Sequence, residues 1–343
     1  MRITDINTYK NAIEKIAGEL PVNEGRVLVT GATGLIGSCI VDVFACANKE
    51  YNGNFAVFAM GRNEEFLRSR FSYNDSIECL PKDIMQPMEN IDVDYIVHAA
   101  SYADPRSYAL HPAETILTNI YGAQNVLNIC HKKDTRVLLT STFEVYGILD
   151  KDEYAEDDFG VIDQNQIRSC YPESKRTAEL LFRAYFDEYG VNSLIARLSS
   201  IYGPTMKKDD SKAHAQFLRN ALRGKDIVLK SEGKQRRTYC YVMDAVSGLL
   251  KVLFKGEPGE AYNVANEYSI ATIAEVAQTI ADLTGTKVVF ELPDAIESKG
   301  FSKPQDCVLA TKKIKALGWN GHYNLEEGMR ETIDILRGFE RLE

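Results

Sequence analysis

Up to about residue 200 the chain alternates two kinds of hydrophobic pattern. Five short runs are apolar on nearly consecutive positions: RVLVT (26–30), FAVFAM (55–60), DYIVHAA (94–100), RVLLTST (136–142) and VNSLIARLSS (191–200). Such runs predict strands covered on both faces. The stretches 112–132 and 173–189 between them have amphipathic spacing and predict helices. Ile6, Tyr9, Ile13 and Ile16 recur at helical intervals and predict a lead-in helix over 5–18. Strands joined through helices, rather than through two-residue turns, predict an α/β fold: a Rossmann-type doubly wound parallel sheet.

After residue 200 the rhythm changes. Loops rich in Lys, Asp and Gly (204–213 and 223–237) alternate with short helices, a strand-like KVVFEL (287–292) and a closing helix after Leu325. The expected division is a first domain over 1–200, with 236–267 returning to it, and a smaller, mainly C-terminal α/β lobe over 201–235 and 268–343. The sequence has no fixed-period repeat and no low-complexity tract.

Composition narrows the functional classes. The 343 residues are 45% hydrophobic, and 40 Lys+Arg against 49 Asp+Glu give a net charge of −9. A binder of a nucleic-acid polymer needs a basic face to displace counterions, so that class is excluded. Small anions are not, because a helix N-terminus and a few local cations can hold a phosphate on an acidic protein. Cys39, Cys46, Cys79, Cys130, Cys170, Cys240 and Cys307 are far apart and form no C-x-x-C, so reduced thiols and no metal site are expected. The N-terminal residues lack a signal-peptide core, and a cytoplasmic location is expected. Between Val27 and Asn48 the only charge is Asp42, a length that could span a bilayer. The glycines inside that segment have a better explanation, and no membrane partner is expected.

RVLVT-GATGLIG-SCIVDVF runs from a strand through Gly31, Gly34 and Gly37 into an apolar helix. That context is what a dinucleotide needs: a tight turn, close backbone approach to a pyrophosphate, and phosphates over a helix N-terminus. The next strand ends at Gly61-Arg62, where an arginine can accommodate a 2′-phosphate, so NADP (as NADPH) is the favoured cofactor and NAD the alternative. Asp83-Ile84 follows a further extended stretch and is a candidate adenine contact.

Tyr171 is the only tyrosine with a lysine four residues on, Lys175, and that spacing sets both on one helix face. A nearby ammonium, with the charge of an oxidised nicotinamide, is expected to lower the phenol's pKa toward working pH, as a general acid/base requires. Thr142 and Glu144 leave the strand at 136–142, at the sheet edge where open α/β folds bind ligands.

Taken together, GATGLIG, Asp83-Ile84, HAAS (98–101), Asn119, STFEVYG (141–147), YPESK (171–175), RLSSIYGP (197–204) and GKQRRTYCYVMDAV (233–246) resemble the extended short-chain dehydrogenases/reductases. Within these the chain is similar to the sugar-nucleotide epimerase/dehydratase group, nearest in motifs to UDP-glucuronate decarboxylases, 4-epimerases and 4-keto reductases. The resemblance implies that Tyr171 exchanges the proton at sugar O4, with Thr142 sharing that hydrogen bond. It implies that Lys175 holds the nicotinamide ribose. Gly31, Gly34, Leu35, Ile36 and Gly37 would face the cofactor, with Ala99, Ala100 and Asn119. Ser200 and Arg237 would meet the substrate, Arg237 at its pyrophosphate.

Two departures bear on the reaction. Dehydratases of this group place an acid, and decarboxylases a serine, where this chain has Phe143 beside Glu144. Ser200 replaces the group's asparagine. With Arg62, these favour a reductase of a 4-keto-6-deoxy sugar nucleotide (dTDP-4-dehydro-6-deoxyglucose reductase type). By analogy its setting would be surface polysaccharide, O-antigen or lipopolysaccharide synthesis. A 4-epimerase and a UDP-glucuronate decarboxylase are the alternatives; a non-catalytic nucleotide sensor or scaffold is the reading from another class. A sugar-nucleotide substrate is the expected partner, and a homodimer could form through helices 112–132 and 173–189.

Overall fold

A computed structural model describes residues 2–88, 91–131, 133–291 and 306–340. A lead-in helix α1 (Asn7–Gly18) precedes β1 (Glu24–Thr30), α2 (Leu35–Glu50), β2 (Asn54–Gly61), α3 (Glu64–Phe71), β3 (Ile77–Pro81) and β4 (Tyr95–His98). Then come α4 (Pro105–Leu110), α5 (Pro112–His131), β5 (Arg136–Thr142), α6 (Cys170–Tyr189), β6 (Ser193–Leu198), β7 (Ser200–Tyr202) and α7 (Ala213–Leu222). The remainder is β8 (Ile227–Leu229), β9 (Arg236–Tyr241), α8 (Val242–Lys255), β10 (Ala261–Val264), β11 (Ile270–Thr272), α9 (Ile273–Thr284), β12 (Val288–Phe290), α10 (Lys312–Ala316) and α11 (Leu325–Glu340).

Seven parallel strands form the main sheet in the order β10-β6-β5-β4-β1-β2-β3. This is the doubly wound arrangement, and the strand order reverses between β1 and β4, the point where such sheets open a crevice. Alternation along each strand sends neighbouring residues to opposite faces. Val27, Val29, Val97 and Leu138 join the core shared with α1, α2 and α8. Leu28, Ile96, Val137 and Leu139 face Ala123, Val126 and Leu127 of α5, and Ala178 and Phe182 of α6. Two helical layers therefore sandwich the sheet, and the strands are apolar throughout because both faces are covered.

A smaller sheet, β11-β9-β7, and a pair, β12-β8, hold the later residues. β9 belongs to the small sheet, whereas β10 closes the edge of the large one. The run at 191–200 is two strands, split at Ser199, because β6 continues the main sheet and β7 pairs with β9. The run at 94–100 ends as a strand at His98, since Ala99 and Ala100 turn beneath Gly31. The helix expected over 173–189 begins earlier, at Cys170, which brings Tyr171 into its first turn; Pro172 is tolerated so near a helix start. Residue 132, the last of the helix expected over 112–132, and residue 292, the last of the strand expected over 287–292, lie outside the described residues, as do 293–305 of the expected C-terminal lobe. Among those described, no helix is long and apolar enough to cross a membrane, no acid, Cys or His group could hold a metal, and all seven cysteines are free.

Candidate active site

The glycine turn sits at the switch point. Gly31 has φ +67°, a left-handed conformation, and a Cβ there would lie 2.7 Å from the Ala99 oxygen. A Cβ on Gly37 would lie 2.9 Å from the Gly31 carbonyl carbon and nearer still to its oxygen. Both positions therefore require glycine, the first for backbone conformation and the second for strand–helix contact. Gly34 is the N-cap of α2 and offers no side chain to the first turn, which begins at Leu35 and Ile36. Those amides are the groups a dinucleotide pyrophosphate binds, so the bare turn fits that ligand. Ala100 N donates to Thr30 Oγ1 over 3.2 Å, tying the two strand ends together.

Around the exit of β5 the structure gathers Thr142, Glu144, Tyr171, Lys175 and Asn119. Buried Asn119 accepts from Ser101 Oγ at 2.8 Å and donates to Ser174 Oγ at 2.9 Å, and Ser174 Oγ donates to the Tyr171 carbonyl. The end of β4 is thereby linked to the first turn of α6. Lys175 is buried and its Nζ donates to the Thr140 carbonyl over 2.9 Å. Burial lowers its pKa to about 8, opposed by the charge of Glu179. Burial, and then Lys175, push His98 down to about 3, so it is a neutral imidazole bonded to Thr30 Oγ1.

Whereas the expected lowering also draws on the charge of an oxidised nicotinamide, the protein's own groups raise the Tyr171 phenol. Burial raises its pKa and the charge of Glu144 adds to this, against hydrogen bonds with the hydroxyls of Thr142 and Tyr108. The reason is geometric: the Lys175 ammonium is engaged at Thr140, and desolvation of the phenol is the larger effect. Tyr108 stacks on Tyr171 with ring centroids 4.5 Å apart and planes at 17°. Arg168 lies over the other side of this stack, 4.6 Å from the Tyr108 centroid, and its Nη2 is 2.7 and 2.9 Å from the two oxygens of Glu144.

The cofactor-side candidates occupy the ends of β2 and β3. Arg62 Nη1 donates to the Tyr102 hydroxyl at 2.8 Å and meets Glu114 at 3.4 Å, so a carboxylate already offsets its charge. Asp83 closes an Asx turn onto Met85 N, and the buried Ile84 uses its carbonyl to accept from Asn125.

The substrate-side candidates come from the small sheet. Arg237 in β9 places its guanidinium 5.6 Å from the Phe143 ring, bringing it to the exit of β5. Ser200 lies opposite Tyr239 in the β7–β9 register. Sequence reasoning missed Arg168, Tyr108 and His214. Arg168 had one signal, a cation three residues before Tyr171; Tyr108 and His214 had none, since their partners are distant in sequence. It also missed the buried pair of Arg197 with Glu179, whose Oε1 accepts from Ser141 beneath the site.

The NAD dependent epimerase/dehydratase family model matches residues 27–265. The chain is 32% identical to UDP-glucuronic acid decarboxylase 5 of Arabidopsis thaliana over 304 residues, covering 89% of this chain and 87% of the relative. It is 31% identical to UDP-glucuronic acid decarboxylase 1 of Xenopus tropicalis over 317 residues, covering 91% and 72%. Among solved structures, it is similar to a dTDP-glucose 4,6-dehydratase of Streptomyces venezuelae with NAD bound (TM-score 0.77, 26% identity, 93% of this chain and 100% of that one). The fold also matches a UDP-glucose 4-epimerase of Thermotoga maritima (TM-score 0.76, 23% identity, 93% and 100%).

Proposed function

The chain belongs to the NAD-dependent epimerase/dehydratase family, and from that premise we propose that it is a UDP-glucuronate decarboxylase working with recycled NAD. The observation that carries this reading is the likeness to UDP-glucuronic acid decarboxylases over most of the chain, in a protein that brings Tyr171, Thr142 and Lys175 together at the exit of β5. When bound, NAD accepts a hydride from sugar C4 and later returns it. Tyr171 takes the O4 proton as C4 becomes a ketone, and Thr142 orients that oxygen. The C5 carboxylate is then β to a ketone and leaves as CO₂, its bonding electrons passing into an enolate. Protonation at C5 and re-reduction at C4, with Tyr171 returning the proton to O4, complete the cycle. Loss of CO₂ needs no proton donor toward a C6 leaving group, so Phe143 is compatible with decarboxylation but not with ordinary 4,6-dehydration. The likeness to decarboxylases along most of the chain supports the same choice of sugar and of UDP.

A second reading is reduction of a 4-keto sugar nucleotide by NADPH, within surface-polysaccharide synthesis. Phe143 favours it by removing the hydroxyl that decarboxylases of this group keep, and Arg62 by its place at the end of β2. A homodimer is also part of the proposal, because Leu117 and Tyr121 of α5 and Leu180 and Phe186 of α6 are exposed. The test is product mass. UDP-glucuronate given without reductant should lose CO₂, and Tyr171→Phe should abolish this while retaining cofactor. A gain of two hydrogens by a 4-keto sugar nucleotide with NADPH, and no reaction of UDP-glucuronate, would select the second reading.

A further inference from the structure

Helix α7 carries a histidine on its buried face. His214 is 7% exposed, its ring stands edge-on to Tyr239 at 6.2 Å, and it bonds the Ile201 backbone in β7. Its Nε2 is buried with no hydrogen-bond partner. The nitrogen bonded to the backbone carbonyl is therefore Nδ1, as a donor, and a neutral ring in that tautomer leaves a lone pair on Nε2. Arg237 lies two residues from Tyr239 on the same face of β9, and its Nε is also buried without a partner. The Arg237 guanidinium also reaches to 5.6 Å from the Phe143 ring at the exit of β5, and two unmet polar nitrogens on neighbouring side chains mark a place for a polar ligand.

Charge indicates the sign of that ligand. The charged groups acting on His214 are Lys212 and Asp210 ahead of α7 and Arg237 on β9; Tyr239 on β9 faces it as a phenol. Lys212 is the N-cap of α7 and supplies no side-chain cap, so the first turn adds unmet amide donors. Two cations against one carboxylate, with a helix N-terminus, favour an anion.

Resting on the sugar-nucleotide reading, we propose that His214 joins Arg237 in binding the substrate's diphosphate, and that His214 takes up a proton as it does so. Burial first, then the Lys212 cation, keep the unliganded imidazole neutral, with its pKa lowered to about 4. A diphosphate beside Nε2 brings negative charge that favours the imidazolium, and the protonated Nε2 becomes a donor to a phosphate oxygen. No bond other than N–H is made, and the proton comes from solvent. Because the bound form holds the proton more tightly, affinity rises as pH falls from the bound pKa toward the free one, by up to about tenfold per pH unit.

The test is titration calorimetry of the full chain with UDP-glucose, in paired buffers of different ionisation enthalpy. The UDP-glucose diphosphate does not titrate near neutrality, so any proton taken up enters the protein. Wild-type protein should take up close to one proton at about pH 6 and lose affinity between about pH 5.5 and pH 8. His214→Gln and His214→Val should show neither, while NAD affinity stays at the wild-type value and reports an intact fold. Equal proton uptake in wild type and variants would overturn the proposal, as would a pH-independent wild-type affinity. Lost affinity in the variants without wild-type proton uptake would also overturn it, leaving His214 as a neutral contact. If neither UDP-glucose, UDP-glucuronate nor dTDP-glucose binds at any pH, the sugar-nucleotide reading itself fails, an outcome distinct from binding without a proton.

Discussion

Arg168 holds Glu144: its Nη2 stands 2.7 and 2.9 Å from the two carboxylate oxygens, and the same guanidinium covers the Tyr108 ring that stacks on Tyr171. A carboxylate accepting on both oxygens has no proton to give. Glu144 raises the Tyr171 pKa and Arg168 lowers it, so the pair partly cancels at the phenol proposed to exchange a proton.

Removing Arg168 should therefore slow proton exchange at O4. Arg168→Gln is expected to lower kcat by about tenfold or more and to move the Tyr171 limb of the pH–rate profile upward. Arg168→Lys should recover part of both. Arg168 is half exposed, so the profile, rather than stability, is the informative readout. An unchanged profile in Arg168→Gln would remove the ion pair from the chemistry.

The glycine turn predicts a rank order. Gly31→Ala meets both a left-handed φ and the Ala99 backbone, and Gly37→Ala meets the Gly31 carbonyl. A Cβ on Gly34 has its nearest neighbour, the Gly31 oxygen, at 3.2 Å. Gly31→Ala and Gly37→Ala should each cost about 1–3 kcal/mol of stability and most of the NAD affinity, and Gly34→Ala distinctly less. Urea unfolding and cofactor fluorescence titration would measure both effects.

Two buried histidines predict how stability responds to acid. His98 and His214 have folded pKa values of about 3 and about 4, below the ordinary 6.5. Between those values and 6.5 the unfolded chain binds more protons than the folded one, so stability falls as pH drops through that window. The slope should approach about 1.4 kcal/mol per pH unit for each histidine. Urea unfolding between about pH 7 and pH 5 should show this loss, and His214→Gln should reduce its slope by about half. A flat stability profile across that interval would contradict the buried neutral state.

Cofactor choice depends on the partners of Arg62. Glu114 and Tyr102 both hold Arg62 Nη1, so the cation is partly offset before any ribose arrives. Glu114→Gln should raise NADP affinity relative to NAD several-fold, whereas Arg62→Asp should weaken NADP more than NAD. Binding of both dinucleotides to each variant measures the ratio, and an unchanged ratio would place Arg62 outside the site.

The parts of this protein legible in its sequence are those fixed by local pattern. The strand–glycine–helix at Arg26–Glu50 and the apolar runs of the main sheet follow from burial on two faces. Tyr171 and Lys175 declare themselves by helical spacing. The small sheet was not legible, because β7, β9 and β11 are short and pair across distant parts of the chain. Ser199, where the chain passes from one sheet to the other, has no turn residue to mark it. The Tyr108 stack, the pair of Arg197 with Glu179, and the orientation of His214 are tertiary relationships between residues whose types are common on any surface or core. Phe143 was legible as a departure, but its contact with Arg237 required the fold.

The proposed activity is that NAD would take the hydride from C4 of a UDP-hexuronate while Tyr171, Thr142 and Lys175 act on the O4 proton, so that the carboxylate leaves. Its most direct test is release of labelled CO₂ from carboxyl-labelled UDP-glucuronate by the purified protein with NAD and no reductant. Wild-type protein should release stoichiometric CO₂ and form a UDP-pentose, and Tyr171→Phe that still binds NAD should do neither. A wild-type protein that binds UDP-glucuronate and NAD, yet leaves the carboxyl label in the sugar, would contradict it.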